Sequence, residues 1–155
     1  MKYKNEMSMT VKSLSENESF VRSSVAAFCL SLNPTIDEIT EIKTAVSEAV
    51  TNCVVHAYPD RVGDILIKVK LSEDEVHISV TDYGVGIDNL EKAIEPFFTT
   101  KPDEDRTGMG FTVIESFMDN FKLERNKTAG VTVSMTKRIS QNNEAIVGEK
   151  NAWAR

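Results

Sequence analysis

Long apolar runs are missing from this chain. No stretch of its 155 residues approaches the roughly 18 consecutive apolar residues that a membrane-spanning helix needs. The first ten residues, MKYKNEMSMT, lack the apolar core of a signal peptide. We therefore expect a cytoplasmic protein with no membrane contact.

Cysteine and basic residues are also scarce. The two cysteines, Cys29 and Cys53, lie among apolar residues at helical spacing, which predicts small buried side chains rather than a disulfide or a metal site. The 18 lysines and arginines are outnumbered by 24 aspartates and glutamates, for a net charge of -6. This balance argues against the clustered basic surface of a nucleic-acid binder, so we expect no direct nucleic-acid partner.

What the chain does have is the composition of one globular domain. Hydrophobic residues make up 41% and charged residues 27%, a balance that allows a substantial core at this length. We predict one domain over residues 1–139. Residues 140–155 are polar without a clear period and are predicted to form a mobile tail.

The periodicity predicts helices packed on a sheet. Two capping boxes, at Ser15–Glu18 and Thr35–Glu38, precede helical patterns that run to about Leu32 and to near Ala57. The remaining predictions are a first strand in 6–14, a hairpin over 65–80, short helix 90–94, a helix from 111, and strands in 122–125 and 131–136. The order β-α-α-β-β-α-α-β-β predicts an α+β fold, a two-layer sandwich with helices on one face of a mainly antiparallel sheet.

The stretch DYGVGI contains the first candidate ligand contact. Asp82 continues the inward row of its strand, where a lone carboxylate is costly and needs a donor such as an adenine amino group. Gly84 and Gly86 would let the backbone approach a flat base. The alternative is a strand-ending aspartate followed by a glycine turn.

The stretch RTGMGF contains the second. Gly108, Met109 and Gly110 lead into the helix predicted from Phe111, where free N–H groups favour phosphate. Lys101 and Arg106 add positive charge nearby. The alternative is a solvated surface loop, which the acidic residues between them favour.

A carboxylate and an amide on the long helix form the third. Glu48 and Asn52 are four residues apart and therefore share one line, to one side of the apolar stripe. The amide oxygen suits a Mg²⁺ ion that already carries phosphate oxygens, and the carboxylate suits a general base. The alternative is a pair of surface polar residues.

Four stretches in this order resemble a known family. SEAVTNCVVHAY, DYGVGI, PFFTTK and RTGMGF are similar to the N, G1 and G2 boxes and the lid of the GHKL (Bergerat-fold) ATPase and kinase superfamily. Together with ENESFVRSSVAAF and TIDEITEIKTAVSEAVTN, they resemble the bacterial anti-sigma factor serine kinases, above all those of sporulation. The similarity covers about residues 5–138.

The resemblance implies roles for the matching residues. Glu48 would be the catalytic base, Asn52 the Mg²⁺ ligand and Asp82 the residue that holds adenine. Arg22 would contact both protein partners. The other implied nucleotide contacts are Gly84, Gly86, the lid residues Thr99, Thr100, Lys101 and Arg106, the helix-start residues Gly108, Met109 and Gly110, and Thr132, whose hydroxyl would support Asp82. Val131 departs from the family pattern, which often has threonine there.

The implied function is that of an ATP- and Mg²⁺-dependent protein serine kinase. It would phosphorylate an anti-anti-sigma factor, hold a sporulation sigma factor of the sigma F type away from RNA polymerase, and form a homodimer. A stress-response relative, slow ATP hydrolysis and a nucleotide-gated binding module without phosphotransfer stay open. A sensor histidine kinase is disfavoured, because the only histidines, His56 and His77, lie in the N box and on a predicted strand.

Overall fold

The computed structural model describes residues 2–95 and 110–140. Within them the chain forms five strands and four α-helices, in the predicted order. The strands are β1 (Asn5–Lys12), β2 (Asp64–Leu71), β3 (Glu75–Asp82), β4 (Asn120–Arg125) and β5 (Val131–Arg138). The helices are α1 (Asn17–Cys29), α2 (Ile36–Asn52), α3 (Leu90–Ile94) and α4 (Gly110–Phe117), with a 3₁₀ turn at Leu30–Leu32 and a π-helical turn at Cys53–Ala57.

The strands form a single sheet in the order β1-β2-β3-β5-β4, and every neighbouring pair is antiparallel. The helices pack on one side of it, which confirms the predicted two-layer α+β fold. The alternation of apolar and polar residues explains this one-sided covering, because successive strand residues face opposite sides. The helix-facing row of β3 is fully buried and ends at Asp82, as predicted from its parity.

Lys137 is an exception in the helix-facing row of β5. Its side chain is only 9% exposed, and Nζ contacts Glu41 Oε2 of α2 at 2.5 Å. Nζ also donates to the backbone oxygen of Phe117, at the end of α4, at 2.7 Å. A buried lysine needs such partners. This contact holds the end of α4 against α2 and the sheet.

One of the two predicted capping boxes forms. Thr35 accepts from the backbone N–H of Glu38 at 3.1 Å, and the Glu38 carboxylate accepts from the backbone N–H of Thr35 at 2.8 Å. The box predicted at Ser15–Glu18 is wrong, because α1 begins without a side-chain cap. The Glu18 carboxylate instead accepts a hydrogen bond from Ser47 of α2.

The cysteines are buried and free, as expected. Among the described residues no helix combines the length and the apolar character needed to cross a membrane. The predicted tail lies outside the described residues after Ser140.

Candidate functional site

Asp82, at the end of β3, is 6% exposed and points between the sheet and α2. Its Oδ1 accepts from two backbone N–H groups, those of Gly84 at 3.1 Å and Val131 at 3.2 Å. Its Oδ2 lies 3.8 Å from the thiol of Cys53, which is a weak donor. One oxygen is therefore fully engaged, and the other retains acceptor capacity for a stronger donor.

Burial raises the pKa of Asp82 above its ordinary value of 3.8, and the hydrogen bonds from Gly84, Val131 and Cys53 partly offset this. A carboxylate in this position is destabilised when charged, so a ligand donor would be favourable. The inward-facing, buried position of this carboxylate is the one predicted from its place in the alternating strand pattern.

The glycines after Asp82 are required by close backbone approach. A Cβ on Gly84 would lie 2.0 Å from the carbonyl oxygen of Ala57. Gly86 has φ +78°, and a Cβ there would lie 2.2 Å from the carbonyl oxygen of Ala129. Because both obstacles are backbone atoms, no side chain could move aside. The sequence predicted that these glycines let the backbone approach a base. In the structure, both glycines are needed because the backbone approaches the carbonyl oxygens of Ala57 and Ala129.

The π-helical turn Cys53–Ala57 is the element that brings α2 to this loop. It continues α2 to the predicted end near Ala57, with a wider winding than an α-helix. The freed carbonyl of Ala57 accepts from the backbone N–H of Val85 at 2.9 Å. The loop after Asp82 is therefore attached directly to the end of the helix that carries Glu48 and Asn52.

Glu48 and Asn52 lie together on the side of α2 that faces α4. A Cβ on Gly110 would lie 3.2 Å from Glu48 Oε2 and 3.2 Å from both amide atoms of Asn52. The Nδ2 atom of Asn52 is buried and has no hydrogen-bond partner among the described residues. An unpaired buried amide costs about 1–3 kcal/mol, so this atom favours a ligand partner.

The oxygens of Glu48 and Asn52 also fit a hard cation, which prefers carboxylate and amide oxygens. In the parts of the chain that the structure describes, no group of three or more His, Cys, Asp or Glu side chains is arranged to hold a metal. A Mg²⁺ ion in this site would therefore need oxygens from phosphate and water besides those of the protein.

The sequence and fold match known proteins over nearly the whole domain. A family model described as a histidine kinase-like ATPase domain matches residues 11–137. The chain is 50% identical over 142 residues to the anti-sigma F factor of Caldanaerobacter subterraneus subsp. tengcongensis, covering 92% of this chain and 99% of the relative. It is 48% identical over 139 residues to the anti-sigma F factor of Bacillus subtilis, covering 89% and 95%. The chain belongs to the anti-sigma F factor family.

Two solved structures share the fold at lower identity. The RsbU and RsbW domains of Rv1364c from Mycobacterium tuberculosis match with a TM-score of 0.63 and 20% identity, over 87% of this chain and 32% of that one. The nucleotide-free catalytic domain of histidine kinase ThkA matches with a TM-score of 0.56 and 21% identity, over 84% and 98%. These support the fold alone, while membership in an ATPase-domain family identifies the nucleotide as ATP.

Thr132 does not have the contact that the resemblance to the family implied. Its hydroxyl lies 3.0 Å from that of Thr81, on the sheet face opposite Asp82. Val131 is the inward residue, 4% exposed, and reaches Asp82 through its backbone N–H. The expected support of Asp82 by the Thr132 hydroxyl was therefore wrong. The alternation of Val131, Val133 and Met135 in the sequence carried the signal that position 132 faces outward.

The other expected site residues divide between the described and the undescribed parts of the chain. Six of them lie outside the described residues: Thr99, Thr100, Lys101, Arg106, Gly108 and Met109.

Arg22 is on α1, with its side chain 37% exposed and its guanidinium 3.4 Å from Glu18. Glu18 in turn contacts Ser47, so Arg22 is linked to the residue before Glu48.

Cys53 was missed as a member of the site. Its position at helical spacing among apolar residues predicted only a core side chain, and its burial agrees. Its contact with Asp82 joins residues 29 positions apart. Burial, then the charge of Asp82, raises the pKa of this thiol well above its ordinary value. It is therefore a neutral donor rather than a reactive thiolate.

Proposed function

We propose that the protein is an ATP-dependent protein serine kinase that also binds a sigma factor. In its nucleotide-bound form it would hold a sporulation sigma factor of the sigma F type away from RNA polymerase, in the cytoplasm. It would phosphorylate a serine of the anti-anti-sigma factor that competes for it. The names of its relatives support the binding of a sigma factor, since they are anti-sigma F factors.

One observation supports the kinase activity above the others. Glu48 lies beside Asn52 and against Gly110, at the start of α4. A protein that only sensed nucleotide would need Asp82 and Asn52 but no carboxylate at this position. Glu48 can accept the proton of an attacking serine hydroxyl, and its carboxylate is held on a rigid helix.

The remaining residues would bind and orient the nucleotide. Asp82 would accept a hydrogen bond from the adenine amino group through Oδ2, because Oδ1 is engaged by two backbone donors. Asn52 and phosphate oxygens would hold Mg²⁺, which when bound neutralises charge on the phosphates. Thr99, Thr100, Lys101, Arg106, Gly108 and Met109 are proposed to complete the phosphate site.

Arg22 is the proposed contact for both protein partners. It lies partly exposed on α1, beside Glu18, and could therefore meet a partner without entering the nucleotide site. A homodimer is part of the proposal.

The test is phosphotransfer with the purified protein. Radiolabelled ATP and Mg²⁺ are incubated with each candidate anti-anti-sigma factor, and phosphoamino-acid analysis identifies the acceptor. We expect label on serine of one antagonist, and loss of transfer in Glu48→Gln. Sigma binding without any transfer would instead support a nucleotide-gated binding module, and phosphate release to water would support a hydrolase.

The choice of sigma factor is tested separately. Affinities for a sporulation and a stress-response sigma factor are measured with ATP, with ADP and without nucleotide. We expect tighter binding of the sporulation factor when nucleotide is present. A preference for the stress-response factor would reverse this part of the proposal.

A further inference from the structure

The peptide group between Asp82 and Tyr83 is held at both of its polar ends. The carbonyl oxygen of Asp82 accepts from the side-chain amide of Asn126 at 2.6 Å. The N–H of Tyr83 donates to the hydroxyl of Tyr58 at 2.7 Å. These two groups belong to one rigid plane, because the peptide bond does not rotate freely. Two side chains from distant parts of the chain thus fix its orientation.

Asn126 is itself held in place by the turn between β4 and β5. Its Oδ1 accepts from the backbone N–H of Thr128 at 3.0 Å and from the Thr128 hydroxyl at 2.8 Å. Its backbone N–H donates to the carbonyl of Gly130 at 2.9 Å. With its amide oxygen engaged in this way, the Nδ2 end is directed at Asp82.

Gly130 allows this turn to reach Asp82. A Cβ on Gly130 would lie 2.1 Å from the Asp82 carbonyl oxygen and 2.9 Å from Asn126 Nδ2. The turn and the end of β3 are therefore in direct backbone contact, and the Asn126 bond is made inside that contact.

Tyr58 holds the plane from the other side. Its side chain is buried, and besides accepting from Tyr83 the hydroxyl donates to the carbonyl of Asp64 at 2.6 Å. The ring lies against Gly63, where a Cβ would come within 2.1 Å of it. The hydroxyl thus ties the start of β2 to the residue after Asp82.

We propose that Asn126 and Tyr58 are positioning residues for base recognition: by locking the Asp82–Tyr83 peptide plane, they aim the Asp82 carboxylate at the nucleotide. Neither side chain needs to touch the ligand. Rotation of this plane would change ψ of Asp82 and φ of Tyr83 and would displace Gly84, whose N–H holds the Asp82 carboxylate. The bond from Gly84 to Oδ1 would then be lost, and the carboxylate would be held by the Val131 N–H alone at that oxygen. This inference rests on the proposed ATP-binding role of Asp82.

The test compares Asn126→Ala and Tyr58→Phe with the wild-type chain. Each variant removes one bond to the plane, and we expect ATP affinity to fall about tenfold, the scale of a lost bond to a buried polar group. GTP affinity should change less, so the preference for ATP over GTP falls with it. In phosphotransfer, KM for ATP should rise while kcat changes less than about threefold.

Asn120→Ala is the matched control. Asn120 is the first residue of β4, and its Nδ2 donates to the Thr136 hydroxyl at 3.0 Å in an exposed position. It removes a comparable side-chain amide from the same strand pair without touching the Asp82 plane. Its ATP affinity and ATP preference should equal those of the wild type.

Asn126→Asp and the double variant sharpen the result. Asn126→Asp keeps an oxygen for Thr128 and replaces the donor to Asp82 by a carboxylate oxygen that repels the Asp82 carbonyl, so it should lose ATP preference at least as strongly as Asn126→Ala, with the turn intact. In Asn126→Ala with Tyr58→Phe, the combined loss should be smaller than the product of the single losses, because both act on one plane.

A purely structural role predicts another pattern. It would lower the melting temperature of the variants and leave the ATP preference of the folded fraction unchanged, and this outcome overturns the proposal. Wild-type ATP affinity in both single variants also overturns it. The nucleotide affinities do not depend on kinase activity, so a wild-type chain that binds ATP but transfers no phosphate refutes the kinase and leaves this test intact.

Discussion

Replacing Asp82 by asparagine separates ligand binding from folding more cleanly than any other single change in the site. The Oδ1 position accepts two backbone N–H groups, and an asparagine oxygen can accept both. The change therefore keeps the contacts that hold the loop after β3. At the Oδ2 position it places an NH₂ group, which cannot accept a hydrogen bond from an adenine amino group.

The loss of affinity follows from the bond that is removed. A hydrogen bond to a charged group contributes about 1.5–3 kcal/mol, which is roughly a 10- to 150-fold change in Kd. Two opposed donors add repulsion to this loss. We expect isothermal titration calorimetry with ATP and Mg²⁺ to show at least this weakening. The exposed Asp60→Asn serves as the control and should bind ATP normally.

Without nucleotide, Asp82→Asn should be stabilised relative to the wild type as pH rises, although its ATP affinity is lower. Burial raises the pKa of Asp82 above its ordinary value of 3.8, so the folded chain holds this proton more tightly than the unfolded chain. The contribution of this carboxyl to stability is complete below the unfolded pKa and is lost as pH rises through the folded pKa. Asp82→Asn has no such loss, so its free energy of unfolding should gain on the wild type as pH rises above about 4.

Urea denaturation from pH 4 to pH 7 without nucleotide measures this difference. Wild-type ATP affinity in Asp82→Asn would refute the adenine assignment. A wild-type chain that gains stability over the variant with rising pH would refute the burial argument, because it would require favourable partners for the charge that outweigh its desolvation.

Three further changes probe other parts of the site. Glu48→Gln should retain most ATP affinity while phosphotransfer falls about a hundredfold or more, and single-turnover transfer at the normal rate would show that Glu48 is not the base. Gly84→Ala should abolish ATP binding and lower the melting temperature, because its Cβ would lie 2.0 Å from the Ala57 carbonyl oxygen. A normal melting temperature by calorimetry would contradict this close contact. Arg22→Ala should weaken binding of both protein partners, by about 2 kcal/mol if it is a hot spot, with ATP affinity unchanged. If surface plasmon resonance shows normal binding of both partners, Arg22 is an ordinary solvated arginine and not a partner contact.

Much of the fold was determined by patterns within a few residues of one another. The change from helical to alternating spacing predicted the element order, and the short helix Leu90–Ile94 was predicted with its observed bounds. The capping box at Thr35 also formed as predicted. These features depend on backbone hydrogen bonds and side-chain directions that a local segment sets by itself.

The positions of the catalytic candidates were also predictable from the sequence. Four-residue spacing on a helix places Glu48 and Asn52 on one line, and strand parity turns Asp82 inward, whatever the rest of the chain does. The resemblance of both glycine pairs to the GHKL superfamily implied that they share one site. The structure brings Gly110 to Glu48 and Asn52, and the loop after Asp82 to the end of the same helix.

The tertiary structure decided which partner each side chain takes. Glu18 has the spacing of a capping residue, yet its carboxylate contacts Ser47, 29 positions away, because α2 packs alongside α1. The Asp82–Tyr83 peptide is locked by side chains 44 and 25 positions away along the chain. A donor or acceptor has several local choices of similar energy, and the choice is made only when packing places a distant group at bonding distance and excludes water.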